Sequence, residues 1–152
     1  MSISSSHAAG TLPQDAADIV RAYLDASMVP DPMLAARYVA PHVTITFTGG
    51  RKYDHPTGPT KFNAGRYKWV KKRMESFDVV GGRTPAEGAV VYSIGTLFGE
   101  WPDGTPFEGN RYVDRFVVRD GLIEKMDVWN DSAEILLLRH GIEACRPIGA
   151  SP

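Results

Sequence analysis

The second half of the chain carries four strand-like segments in a row, and this run constrains the fold more than any other feature. The segments are rich in β-branched and aromatic residues. They span residues 78–83, 89–101, 107–119 and 122–129. The sequence Pro-Asp-Gly-Thr-Pro at 102–106 joins the second to the third, and Asp120 with Gly121 joins the third to the fourth. Both connections are hairpin signals, so the run predicts an antiparallel meander.

The first half of the chain is mainly helical in pattern. Apolar side chains repeat at helical spacing over Pro13–Met28, which predicts an amphipathic helix. Asp31 followed by Pro32 predicts the cap and first turn of a short second helix, which Pro41 is expected to stop. Residues 60–77 return to helical spacing and predict a third helix.

One further strand is predicted between the second and third helices, where residues 42–48 alternate apolar residues with threonine. Helices followed by strands predict an α+β domain, with helices on one face of an antiparallel sheet. Gly95, Gly99 and Gly109 interrupt the long strands and favour bends. The predicted fold is therefore a cone-shaped, curved antiparallel meander that three N-terminal helices cover and that encloses one pocket.

The length of 152 residues fits one domain. We expect this domain to span residues 13–140, between a flexible N-terminal arm at 1–12 and a C-terminal tail at 141–152. The arm lacks the basic start and apolar run of a secretory signal, and no segment approaches the length of a membrane span. The sequence thus predicts a cytoplasmic protein.

Charge and cysteine content argue against several functional classes. The formal net charge of −1 gives no general attraction to nucleic acid or to a membrane. Cys145 is the only cysteine, so neither an internal disulfide nor a thiolate metal cluster is expected. Three histidines lie on different predicted elements without metal-ligand spacing, namely His42, His55 and His140. No nucleotide-binding glycine motif is present either, so no metal and no cofactor are predicted.

The third predicted helix places two arginines among its aromatic residues. At about 100° per residue, Arg66 and Arg73 share a face with Trp69. A buried arginine keeps its charge, so it needs either an anionic ligand or a carboxylate partner. The first alternative makes Arg66 or Arg73 a group that orients a substrate carboxylate or enolate oxygen, in a pocket that Trp69 lines. The second alternative places each arginine in an internal salt bridge with an acid of the sheet. A solvated opposite face is predicted for Lys68, Lys71 and Lys72.

The strand at 107–119 presents a mixed face of apolar and ionisable groups, as a pocket wall does. This face is formed by Glu108, Asn110, Tyr112, Asp114 and Phe116. Next to buried aromatics, Asp114 is a candidate acid or base with a raised pKa, and Tyr112 a candidate ligand contact. The alternative is an Asp114 paired with Arg66 or Arg73, in which case its pKa is lowered.

Four more positions are candidates for the pocket or its rim. Tyr23 lies at the centre of the apolar face of the first helix, where it is either a donor to an oxyanion or a core residue. Asp127, Trp129 and Asp131 end the last strand, where the acids are alternative proton-transfer groups and the tryptophan a ligand contact. The other interpretation of Asp131 is a helix cap. His55 precedes the third helix and is either a contact at the pocket mouth or part of a surface turn.

The order of elements and three segments resemble the SnoaL-like branch of the nuclear-transport-factor-like, ketosteroid-isomerase-like superfamily. The segments read IVRAYLDAS, VAPHVTITFTGG and FVVRDGLIEKMDVWND, and the resemblance covers about residues 15–138. It implies a cone-shaped fold with one pocket. It also implies one of several functions: cofactor-free isomerases, cyclases, dehydratases and epoxide hydrolases have this fold, and so do transport factors and ligand binders.

The resemblance carries over to single positions with exceptions. Tyr23 is the counterpart of the tyrosine on the first helix of the isomerases, and Asp114 stands where cyclases have a histidine. Residues 46–48 offer no acid where isomerases have their aspartate. Val128 occupies the position of the acid on the last strand of cyclases and epoxide hydrolases, with Asp127 beside it.

Two functions from different classes follow. The first is a cofactor-free enzyme that uses acid/base chemistry on a small, partly apolar substrate bearing a carbonyl or carboxylate group. The second is a non-catalytic ligand-binding protein or assembly subunit, in which every buried arginine is paired with an acid. A homodimer is expected in either case, through a sheet face that carries Val113, Val117 and Trp129.

Overall fold

The computed structural model describes residues 13–29 and 31–142, without the side chains of residues 13 and 14. The predicted arm at 1–12 lies outside the described residues, as do Cys145 and all but the first two residues of the predicted tail.

Helices and strands occur in the predicted α+β arrangement. The helices are α1 (Pro13–Met28), α2 (Pro32–Ala36), α3 (Thr57–Arg66) and α4 (Ser132–Arg139). The strands are β1 (Val39–Phe47), β2 (Arg51–Tyr53), β3 (Trp69–Val80), β4 (Ala89–Glu100), β5 (Pro106–Arg119) and β6 (Leu122–Asn130). They form one sheet in the order β2-β1-β6-β5-β4-β3, antiparallel except for the β1–β6 pair. The predicted meander of a curved sheet is confirmed.

The first two helices follow from local sequence signals. Helix α1 buries Ala16, Val20 and Leu24 against the inner face of the sheet, so the predicted amphipathic helix is confirmed. The side chain of Asp31 accepts a hydrogen bond from the backbone N–H of Met33 at 2.9 Å, as expected for a cap. The predicted end of α2 was wrong, because the helix ends at Ala36, ahead of the proline.

The predicted third helix over 60–77 was wrong beyond Arg66, since residues Trp69–Val80 form strand β3. This strand pairs with β4 along its length, and the register shifts between Met74 and Ser76. The bulge preserves the inward direction of the apolar side chains on both sides of it. Val70, Met74 and Phe77 thereby acquire the i, i+4, i+7 spacing of a helix while lying on one face of a strand.

A second bulge changes the face of strand β5. Gly109, with a φ of 82°, is the extra residue between the pairs Leu97–Asn110 and Phe98–Glu108. Asn110 and the residues beyond it that were predicted to share its face are buried on the inner side. Glu108 lies on the outer side with its side chain 73% exposed, so its predicted place on the inner face was wrong.

The helices leave the opposite face of the sheet uncovered. Val113 and Trp129 are register partners on β5 and β6 and are 37% and 56% exposed on this outer face. None of the helices in the described part of the chain is long and apolar enough to cross a membrane.

Candidate active site

A cavity of about 640 Å³ lies between the helices and the inner face of the sheet. Most of its wall is apolar, with contributions from Leu24, Met28, Phe47, Leu97, Met126 and Val128. Polar side chains are fewer and include Tyr23, Thr60, Asn63, Tyr67, Lys72, Asp114 and Asn130. An apolar cavity of this size with few polar groups is typical of a site for a small organic molecule.

Lys72 and Asp114 form an ion pair in the cavity wall. The Lys72 Nζ lies 2.5 Å from the Asp114 Oδ2 and 3.6 Å from the centre of the Tyr112 ring. The side chain of Asp114 is 2% exposed, whereas that of Lys72 is 17% exposed. The lysine side chain is therefore the more accessible member of the pair. The Tyr112 ring stabilises the positive charge of the ammonium group through a cation–π contact.

The carboxyl group of Asp114 is poorly solvated. Its Oδ1 atom is buried and has no hydrogen-bond partner among the described residues. Burial raises the pKa of Asp114 above its ordinary value of 3.8, while the charge and the hydrogen bond of Lys72 act in the opposite direction. The net direction is upward, as the acid/base interpretation expects. The cation beside Asp114 is Lys72, and the predicted partners Arg66 and Arg73 are not paired with it.

Two tyrosines lie close to the ion pair. Tyr23 lines the cavity from α1, 3% exposed, and its ring meets that of Phe116 edge-on at 5.9 Å. Burial, and then the charge of Asp114, raise the pKa of Tyr23. The Tyr112 hydroxyl lies 3.0 Å from the Ser93 Oγ, and burial raises the pKa of Tyr112 to about 12. Tyr112 is thus held in place beneath the ammonium group, and Tyr23 faces the cavity.

Seven of the ten predicted site residues do not lie in the cavity wall, and four of these seven are on the outer side of the sheet. Arg73 pairs with Glu108 at 3.0 Å, Asp127 with Arg115 at 3.3 Å, and Asp131 with Arg111 at 2.6 Å, while Trp129 is exposed. Strand alternation directs Arg73, Asp127 and Trp129 away from the cavity, whereas Asp131 follows the last residue of β6. The structure therefore separates Asp127 and Asp131 from Asp114.

Among the remaining predicted residues, Trp69 lines the cavity, whereas Tyr112 lies behind the wall and Arg66 and His55 only adjoin lining residues along the chain. The Arg66 guanidinium carbon lies 4.6 Å from the centre of the Phe62 ring, and Arg66 has no salt bridge among the described residues. The His55 Nδ1 accepts a hydrogen bond from the backbone N–H of Thr57 at 3.1 Å, which fits the alternative of a turn before α3. Trp69 contributes to the cavity wall, and its ring meets Phe98 edge-on at 5.8 Å.

Sequence reasoning missed Lys72, and the error has one cause. The assignment of 60–77 to a helix placed Lys72 on a solvated face, whereas in β3 it lies on the inner face between Val70 and Met74. The available signal was the period of two: Lys72 lies two residues from both Val70 and Met74, so in a strand it shares their face. The helix cap predicted at Asp131 also differs from the structure. At the start of α4 the Asn130 side chain accepts a hydrogen bond from the Ser132 N–H, and the Asp131 side chain makes no such bond.

Comparison with known proteins identifies the fold. No protein-family model matches the chain, and no curated protein is significantly similar to it. Among solved structures, an NTF2-like protein of unknown function from Burkholderia pseudomallei has a TM-score of 0.67 at 16% identity, over 82% of this chain and 96% of that one. A protein with a ketosteroid-isomerase-like fold from Catenulispora acidiphila, in complex with trimethylamine, has a TM-score of 0.67 at 17% identity. The match covers 86% of this chain and 98% of that one. TerC co-crystallised with polyporic acid has a TM-score of 0.67 at 16% identity, over 83% and 98%.

The chain therefore has the NTF2-like, ketosteroid-isomerase-like cone fold. The resemblance found in the sequence is confirmed at the level of the fold.

Proposed function

We propose that the protein is an enzyme that performs acid/base chemistry, without a cofactor, on a small and largely apolar molecule in the cone cavity. The observation that carries the proposal is the Lys72–Asp114 ion pair in a mainly apolar wall. Apolar residues would fill this wall at no cost in stability, because burying two charges is expensive. A buried pair of opposite charge beside a cavity is suited to moving protons.

The two members of the pair have complementary roles in this proposal. Asp114 is the proton acceptor, and its raised pKa brings it closer to the value that suits a general base at neutral pH. Lys72 donates a hydrogen bond to the oxygen on which negative charge develops, and Tyr23 is a second donor. The reaction that fits is proton transfer next to a carbonyl group, as in an isomerisation or a dehydration. Arg66, the chain neighbour of the cavity-lining Tyr67, is the candidate contact for a substrate carboxylate.

Ligands of the structural neighbours support only the broad class of molecule. TerC was co-crystallised with polyporic acid, and the Catenulispora acidiphila protein is in complex with trimethylamine. Both ligands are small organic molecules. A cavity of about 640 Å³ accommodates molecules of this range.

Asp114→Asn is expected to abolish proton exchange in a ketone ligand. Phenylacetone, benzylacetone and cyclohexanone are incubated with the protein in deuterated water, and NMR measures both binding and deuterium incorporation next to the carbonyl group. The wild type is expected to accelerate exchange in at least one ketone that binds. The variant should lose about 10²–10⁴-fold of that acceleration, because the amide accepts no proton.

Asp78→Asn is the matched control, since Asp78 is an exposed aspartate on β3. It should leave the exchange rate unchanged. Binding of these ketones without any exchange in the wild type would contradict the proposal, and so would an equal loss in both variants.

A non-catalytic ligand-binding protein is the second candidate. It is favoured by the near-complete burial of Asp114 and its pairing with Lys72, as in a structural ion pair. This candidate predicts that the ketones bind to the wild type and to Asp114→Asn alike, with no acceleration of exchange in either. The same experiment therefore separates the two functions.

The cytoplasmic location remains a prediction.

We also propose that the protein is a homodimer whose subunits meet through the outer face of the sheet. Trp129 and Val113 form an exposed apolar centre there, between the ion pairs of Arg111 and Arg115 with their aspartates. Trp129→Lys is expected to convert the dimer to a monomer in sedimentation velocity, because it places a charge in the apolar centre of the interface. Met33→Lys, on α2 and 67% exposed, should leave the dimer intact. A wild type that sediments as a monomer at micromolar concentration would contradict this.

A further inference from the structure

The arrangement of Lys72 and Asp114 is that of a nucleophile with its base. Both residues line the cavity, but the lysine side chain is the more exposed of the two. A ligand in the cavity therefore has more access to the lysine side chain than to the carboxylate. The distance of 2.5 Å between Nζ and Oδ2 lies within reach of direct proton transfer.

A bound ligand that excludes water makes the charge on the Asp114 carboxylate more costly, which favours proton transfer to it from the adjacent lysine. Two neighbouring charges out of water are costly, and transfer of one proton from the ammonium group to the carboxylate removes both. Burial raises the pKa of Asp114, which makes it a better proton acceptor than an exposed aspartate. Leu97, Met126 and Val128 give the cavity a mainly apolar wall, which suits the apolar body of a carbonyl compound.

We propose that Lys72 forms a Schiff base with an aldehyde or ketone bound in the cavity, with Asp114 as its proton shuttle. The inference rests on the proposed function but changes the role of Lys72 from hydrogen-bond donor to nucleophile. In the Schiff base, the iminium nitrogen replaces the carbonyl oxygen as the atom that accepts the electron pair during proton transfer. The inference narrows the ligand class to carbonyl compounds with an apolar body.

The steps balance in atoms and charge. Asp114 takes one proton from the Lys72 ammonium group, and the free Nζ pair forms a bond to the carbonyl carbon while the carbonyl π pair moves to oxygen. Asp114 gives its proton to that oxygen and takes one from nitrogen, which yields a carbinolamine. It then protonates the hydroxyl group, which leaves as water as the C=N bond forms.

The product retains the electrostatics of the site. Asp114 ends as a carboxylate, and the iminium nitrogen carries the positive charge that the ammonium group carried before. The cation therefore keeps both its carboxylate partner and its place over the Tyr112 ring. No oxidant, reductant or additional charge is needed.

Nearby lysines provide an internal comparison. Lys68 and Lys71 also border the cavity. Lys71, however, is exposed on the opposite face of β3 and has no salt bridge among the described residues, and Lys68 pairs with Glu100 at 2.9 Å near the surface. Neither has a buried carboxylate at Nζ. Selective reaction at Lys72 would thus report the site and not the general reactivity of lysines.

The test is reductive trapping with benzaldehyde and sodium cyanoborohydride at neutral pH, followed by digestion and mass-spectrometric mapping of the modified lysines. In the wild type, Lys72 is expected to be modified about 10²-fold faster than Lys71, the low end of what a positioned proton-transfer group contributes. The ratio within one protein needs no variant and does not depend on the folding of one. Equal rates at Lys72 and Lys71 would overturn the proposal.

Two variants sharpen the result. Asp114→Asn should lower the Lys72 rate to that of Lys71 and leave Lys71 unchanged, and an undiminished Lys72 rate would overturn the role of Asp114. Lys72→Arg keeps the cation but forms no imine, so label at position 72 should disappear while the slow labelling of Lys71 remains.

Failure of this inference is distinguishable from failure of the proposed function. Ketone exchange that depends on Asp114, without trapping at Lys72, overturns the Schiff base and leaves the acid/base function standing. Selective trapping without ketone exchange supports the Schiff base and contradicts the proposed reaction.

Discussion

Lys72→Met is expected to lower the free energy of unfolding by about 3–5 kcal/mol at pH 7, the usual cost of removing one partner from a buried ion pair. Methionine matches the lysine side chain as far as Cε but lacks the ammonium group, so it leaves Asp114 in the wall without a cation. The Oδ1 atom already lacks a partner, and Oδ2 would then lose its own. Urea denaturation followed by circular dichroism measures the change.

The control for this prediction is the double variant Lys72→Met with Asp114→Leu. Removing both charges leaves an apolar wall, so the double variant should recover most of the stability that the single variant lost. A double variant that is less stable than Lys72→Met would mean that packing, and not the stranded charge, causes the loss.

The stability that Lys72→Met loses is expected to depend on pH, which provides an independent check that the uncompensated Asp114 charge causes the loss. Burial raises the pKa of Asp114, and loss of Lys72 removes the causes that lower it, so the pKa rises further in the variant. A carboxyl group with a raised pKa on folding destabilises only while it is charged. Its contribution is favourable below the ordinary value of 3.8 and is lost as the pH rises through the raised pKa. The deficit should therefore shrink on acidification toward about pH 4, and a constant deficit would contradict this account.

The sequence predicts the fold well because its signals are local. The amphipathic pattern of Pro13–Met28 and the hairpin at Asp120 and Gly121 each depend on a few adjacent residues. Both therefore survive in the structure. The meander then follows from consecutive hairpins, which require no knowledge of distant contacts.

The candidate site is predicted only in part, because the face of a strand depends on bulges. Asp114 and Tyr23 were predicted at the pocket and line the cavity. Bulges at Gly109 and between Met74 and Ser76 each shift the alternation by one residue. The first moves Glu108 to the outer face. The second gives β3 the spacing of a helix, which hid the inward position of Lys72.

The pairing of Lys72 with Asp114 was beyond local reasoning for a further reason. The two residues lie on β3 and β5, with β4 between them, and only the registers of both ladders bring them together. The sequence offers several cations for one buried carboxylate. Which of them reaches it is decided by strand order and not by spacing along the chain.

Gly95→Ala is expected to disrupt the ladder that holds Lys72 and to cost about 3 kcal/mol or more in unfolding free energy. A Cβ at this position would overlap the Arg73 carbonyl oxygen and lie 3.1 Å from the Cε1 of Tyr112. The first contact pushes β3 away from β4 beside Lys72, and the second displaces the ring beneath its ammonium group. Thermal denaturation and urea titration both measure the loss.

Gly65→Ala is the matched control, since no atom lies within 4 Å of a Cβ added there and the position is within helix α3. Alanine is the better helix former, so this variant should be as stable as the wild type or up to about 1 kcal/mol more stable. If Gly95→Ala behaved in the same way, β3 would be free to move relative to β4. The ladder would then not fix Lys72, and the Lys72–Asp114 distance would have to be maintained by the ion pair alone.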